Sequence, residues 1–81
     1  MFRTFIYPNP TGKTLHLHLI AVQNDLIQIK IYSTDEKLVV KKNIIVNSST
    51  DYPLNISNLS AGNYFMILSD TYSSVKLQFS H

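Results

Sequence analysis

The chain contains no cysteine. That absence excludes a disulfide framework, cysteine-ligated zinc and a thiol nucleophile together. It leaves an extracellular location open, because oxidising compartments permit disulfides without requiring them. Long apolar runs are missing as well. The longest, such as Tyr64 to Leu68, are far too short to cross a bilayer, so no stable membrane insertion is expected. Residues 1–20 lack the basic start and hydrophobic stretch of a secretory signal peptide, so such a signal lies outside this segment or is of another kind. A basic stripe is absent too. Seven Lys and Arg stand against five Asp and Glu, a net charge of +2, but only Lys41 and Lys42 are adjacent. Without that footprint, nucleic acid is not expected as a partner.

Alanine and glutamate are scarce, while Ile, Val, Leu, Tyr, Thr, Ser and Asn dominate. Side chains branched at Cβ and aromatic rings lose rotamer freedom in a helix and fit a pleated surface better. Eighty-one residues make one small domain, 1–81, whose single core must take in nearly every apolar side chain.

Period-two alternation recurs in short blocks separated by turn formers. Phe2 to Tyr7 reads as a first strand, ended by Pro8 and Pro10. Leu15, Leu17 and Leu19 alternate with His16 and His18 in a second, and Ala21 to Asp25 reads as a loop. Ile27, Ile29 and Ile31 alternate with Gln28, Lys30 and Tyr32 in the clearest amphipathic strand. A turn over Ser33 to Lys37 leads into Leu38 to Val46, whose phase changes around Lys41-Lys42-Asn43; a bulge or a switch of sheets would explain that. Tyr52 to Ile56 follows, with Pro53 placing it at an edge or a strand start. After a corner at Ser57 to Gly62, Asn63 to Ser69 is nearly all apolar, as a central strand would be. Val75, Leu77 and Phe79 alternate in the last. The expected fold is all-β: an immunoglobulin-like antiparallel β-sandwich of about seven strands.

Three chemical readings of the sequence turn on spacing. Gly12-Lys13-Thr14 ends like a phosphate-binding loop, but the motif needs a glycine where Tyr7 stands, and no helix follows to receive an anion. His16 and His18 share a strand face and could reach one metal ion, but His81 is the only other histidine, so imidazoles facing water are the favoured reading. No serine sits in a nucleophile elbow, and Asp25, Asp35, Glu36, Asp51 and Asp70 all fall at expected turns or loops, where Asp serves backbone hydrogen bonds. No catalytic residue, cofactor, metal or small-molecule substrate is expected. Asn-x-Ser triplets begin at Asn47, Asn55 and Asn58; in a chain this rich in Asn and Ser they are as readily coincidence as glycosylation sites.

Four blocks remain in a fixed order: YPNPTGKTLHLHL, IQIKIYSTDEKLV, LNISNLSAGNYFMIL and VKLQF. Together, from about Phe5 to Phe79, they closely resemble the type A C-terminal sorting domain of the type IX secretion system of Bacteroidetes. The resemblance implies a non-enzymatic sandwich that ends a larger exported protein and labels it for passage across the outer membrane. It implies partners in the secretion machinery and its surface cysteine peptidase, which removes the domain or exchanges it for a lipopolysaccharide anchor. It also implies transit through the periplasm to the cell surface or the medium.

Matched onto this sequence, Pro8, Asn9 and Pro10 fall in the opening motif, Gly62 and Tyr64 in the Gly-x-Tyr motif, and Lys76 is the lysine of the final block. Each also has a folding role to play. The prolines fix a turn, Gly62 supplies a backbone angle or a close approach, and Tyr64 resembles a tyrosine corner. Lys76 is open between recognition and a solvated, edge-protecting lysine. Two departures stand out. Glu36 occupies the turn position where the family has glycine, suggesting an altered hairpin turn, and the chain ends Ser80-His81 where many members end in basic residues. An adhesive or carbohydrate-binding module, built on Tyr32, Tyr52 and Tyr72, is the alternative reading; a structural spacer is another.

Overall fold

A computed structural model describes residues 2–8, 12–21 and 25–81. Asn9, Pro10 and the middle of the expected Ala21–Asp25 loop lie outside them. Seven strands form, all pairing antiparallel: β1 (Phe2–Tyr7), β2 (Thr14–Ala21), β3 (Asp25–Ser33), β4 (Leu38–Val46), β5 (Thr50–Asn55), β6 (Asn63–Ser69) and β7 (Ser74–Ser80). They make a three-stranded sheet ordered β1-β2-β5 and a four-stranded sheet ordered β4-β3-β6-β7. An immunoglobulin constant domain keeps its fourth strand beside the fifth. Here β4 stays with β3 instead.

The alternation in the sequence decides what faces inward. Leu15, Leu17 and Leu19 of β2 and Ile27, Ile29 and Ile31 of β3 are fully buried. Leu54, Ile56, Val46, Met66, Leu68, Tyr64 and Phe79 complete the core, with Ile6, Ile44 and Tyr52 packed against it. Burying a Leu or Ile side chain of this kind stabilises by about 1.5–3 kcal/mol. As the sequence indicated, β6 is interior to its sheet, and β5, which carries Pro53, is an edge.

The fourth strand corrects the reading of its phase. Its irregularity lies at Val39, an extra residue between the pairs Tyr32–Leu38 and Ile31–Val40, and β4 never leaves its sheet. Beyond the bulge the phase is constant. Lys42 stands opposite buried Ile29, in the same inward row as Val40, Ile44 and Val46, but at an edge where it remains exposed. Two acids are also better placed by the structure. Asp51 lies within β5 and Asp25 is the first residue of β3, so neither belongs to a turn.

The remaining turns do use their acids. Between β3 and β4, Ser33 N–H donates to the Lys37 carbonyl and Glu36 N–H to the Ser33 carbonyl, both at 2.9 Å. Glu36 has φ 66°, the left-handed conformation that glycine adopts without steric cost. Glutamate here holds a conformation that glycine would adopt more readily. Between β6 and β7, Asp70 Oδ1 accepts from Tyr72 N–H at 2.8 Å, Ser73 N–H at 2.6 Å and the Ser73 hydroxyl at 3.0 Å. Loss of hydration opposes ionisation of Asp70, but these donors outweigh it and hold the carboxyl below its ordinary value. The Ser33 hydroxyl, chiefly, does the same for Asp35.

Replacing Glu36 by glycine should relieve the left-handed strain while loosening the unfolded chain. The net expectation is a gain of about 0.5–1 kcal/mol, read in thermal melts as a rise of about 2–8 °C. Because the carboxyls of Asp35 and Asp70 are depressed in the folded state, their contribution is present above the ordinary Asp value of about 3.9 and is lost as pH falls through the lower folded values. Melts of the Asp35→Asn, Asp70→Asn double variant should show a shallower acid-side decline than the wild type.

Candidate functional site

Three of the six residues singled out by motif, Gly62, Tyr64 and Lys76, lie on the β6–β7 hairpin. Pro8 lies in the other sheet, immediately after β1, joined to Tyr7 by a cis peptide bond. Asn9 and Pro10 are outside the described residues. Lys13, just before β2, and the start of the corner before Gly62 share one end of the sandwich, because Ile56 N–H donates to the Lys13 carbonyl at 2.9 Å.

Gly62 has φ 153°, a conformation that disfavours any side chain, while a Cβ placed there would meet nothing within 4 Å. Of the two roles considered for it, the backbone angle is the one required. Its N–H donates to the His81 carbonyl at 3.0 Å and its carbonyl accepts from His81 N–H at 2.8 Å. This pair extends the β6–β7 ladder one step beyond Asn63–Ser80. Sequence reasoning missed the partnership, since nothing local to either residue announces it.

Tyr64 behaves as a tyrosine corner. Its ring is 5% exposed and stacks on Phe79, the residue directly opposite, with centroids 5.5 Å apart. Its hydroxyl reaches back four residues to donate to the Ser60 carbonyl. The corner is thereby tied to the hairpin through one side chain. The ring also meets His81 edge-on at 6.5 Å.

Lys76 points the other way, onto the outer face. Its ammonium lies 4.6 Å from the centre of the Phe65 ring, a cation–π contact. Register places it in a row across the sheet: Lys41 pairs with Lys30, Lys30 with Ile67, and Ile67 with Lys76. The row is invisible in the sequence, where the three lysines lie far apart.

The histidine pair has a different setting. His16 and His18 project from the outer face of the three-stranded sheet, both half-buried. Tyr7 stacks on His16 with centroids 5.1 Å apart, and its hydroxyl donates to Asp51 Oδ1 at 2.8 Å. His16 Nδ1 lies 3.3 Å from Asp51 Oδ2. The hydrogen bond to Asp51 raises the Tyr7 phenol above its ordinary value. No group of three His, Asp or Glu among the described residues could hold a metal ion. The tyrosines of the carbohydrate reading do not assemble either. Tyr32 is on the outer face, Tyr52 packs inward, and Tyr72 is 88% exposed on a turn.

Residues 5–79 match the family model described as the secretion system C-terminal sorting domain. The chain belongs to this family. The match takes in all four blocks, from Phe5 to Phe79. No curated protein is significantly similar to the chain. Membership makes it a type IX sorting signal: it implies interaction with the type IX secretion machinery and export to the cell surface or the medium.

Two substitutions separate the angle at Gly62 from the anchor at Tyr64. Gly62→Ala should cost about 1–3 kcal/mol through backbone strain alone. Tyr64→Phe keeps the stack and strands the Ser60 carbonyl, at about 1–2 kcal/mol. Hydrogen exchange should show faster exchange of His81 N–H in the first variant. In the second, loss of protection should centre on the Ser57–Ala61 corner.

Proposed function

We propose that this sorting domain is the last domain of a larger exported protein and is read by the machinery through its β6–β7 hairpin. The observation that carries this reading is the gathering of Gly62, Tyr64 and Lys76 on one hairpin. Gly62 and Tyr64 hold the hairpin and its preceding corner in place, while Lys76 presents a charge that the core does not need. Pro8, directly after the first strand, fixes the backbone angle there, and with Asn9 and Pro10 it makes up the opening motif. The attached protein enters the periplasm by its own leader, crosses the outer membrane under this label, and a surface cysteine peptidase then cuts ahead of the first strand. In that scheme the domain is a substrate and performs no catalysis.

The test is a reporter carrying residues 1–81 at its C-terminus, expressed in a bacterium with a working type IX system. The fusion should reach the surface or the medium, and a fusion retained in the periplasm would overturn the sorting role for this chain. Lys76→Ala should lower export severalfold with the melting temperature little changed. Export equal to wild type would remove Lys76 from the recognised surface while leaving the sorting role intact.

A further inference from the structure

Among the described residues, the charged side chains that the strands project from the outer face of the four-stranded sheet are all lysines. Its cross-strand row holds Lys41, Lys30 and Lys76, and among the described residues no acid projects from the strands beside them. Lys30 and Lys41 stand directly opposite each other, an arrangement of like charges that destabilises a sheet. Folding alone would be better served by an acid at either position. Lys30 lies within the second block and Lys41 outside all four, and neither is among the six residues matched to the sorting motifs.

Both sides of this row are concave. On one side a hollow of about 370 Å³ is lined by Thr34, Asn63, Phe65, Gln78 and Ser80, with Tyr64 and Phe79 beneath. On the other, a hollow of about 350 Å³ is lined by Leu26, Gln28, Asn43, Ser69, Asp70 and Thr71. Both are shallow and open to solvent, so they offer contacts along a surface and do not enclose a ligand. The side chains facing out are mainly amides and hydroxyls, groups that both donate and accept hydrogen bonds. Asp70 is the one acid, and its Oδ1 is committed to its own turn.

We propose that this face binds an acidic polysaccharide, with its carboxylates on the lysine row and its neutral hydroxyls in the two flanking hollows. Charge complementarity supplies the lysine row with its counterpart, since an ammonium on a flexible stem meets a carboxylate as a hydrated point charge. The hollows favour a polymer that carries neutral hydroxyls as well as charge, because their amides and hydroxyls can both donate to and accept from a sugar hydroxyl, whereas a chain of carboxylates or phosphates uses only their donors. Phe65 adds an apolar ring surface beside the row. A protein partner fits less well: interface centres are apolar and depleted in lysine, whereas the centre here is the lysine row. Lys76 serves both this face and the sorting hairpin, but Lys30 and Lys41 separate the two roles.

The test is titration of the purified 81-residue chain with polygalacturonate, dextran, poly-L-glutamate and a single-stranded oligodeoxynucleotide, read by calorimetry and thermal shift. Polygalacturonate should bind saturably and raise the melting temperature, while dextran does neither. The Lys30→Glu, Lys41→Glu double variant should weaken binding by about tenfold or more, as expected for losing two charged contacts. Gln28→Ala with Gln78→Ala should weaken polygalacturonate binding and leave any residual poly-L-glutamate binding unchanged. Lys41→Glu alone creates an opposite-charge pair with Lys30, so its melting temperature should hold while affinity falls. No binding to polygalacturonate, equal binding of poly-L-glutamate or the oligonucleotide, or unchanged affinity in a folded lysine variant would each overturn the proposal.

Discussion

Everything in this domain depends on two sheets being held together by side chains alone. There is no disulfide, and among the described residues no metal cluster and no buried charged group to pin one layer on the other. The leucines of β2 and the isoleucines of β3 meet across the interior, each fully removed from water. Because inward residues recur every second position, a slip of one residue in either strand would turn the whole set outward. Register is therefore specified by the core, and both outer faces inherit their arrangement from it. The Lys41–Lys30–Lys76 row and the Tyr7–His16–Asp51 cluster are fixed from the inside.

What the sequence discloses follows from the same cause. Alternation in Leu15–Leu19 and Ile27–Ile31 marks strands and their inner faces without any knowledge of partners. Tyr64 is legible for a local reason, since its hydroxyl needs only to reach back four residues to Ser60. Cross-strand neighbours are not local. Tyr7 and Asp51 are 44 positions apart, and only pairing through β2 brings them together. A turn was the natural reading of Asp51 because its flanking residues are polar, but β2 gives that backbone a ladder to join. Lys42 misled in the opposite sense. One lysine on the inward row of β4 looks like a change of phase when the strand's edge position is unknown.

The hairpin that carries the sorting motif is closed at both ends by different means. At the β6–β7 turn the Asp70 carboxylate gathers backbone and hydroxyl donors. At the open end the Gly62–His81 pair and the Tyr64–Phe79 stack continue the ladder. The hairpin thus keeps its shape through contacts made within itself and its preceding corner. The β3–β4 turn accepts a strained residue because its backbone bonds and the core behind it dictate the conformation.

Lys42 also bears on how copies of this chain behave toward one another. The free edge of β4 offers unpaired backbone groups to any passing strand. A strand docking there would enclose the Lys42 ammonium between the layers, and stripping water from an unpaired cation costs several kcal/mol. A single inward lysine thus makes end-to-end polymerisation of the sheet unfavourable on that side. For a protein that must remain dispersed until it is exported, an edge that rejects its own kind is as useful as the label it carries.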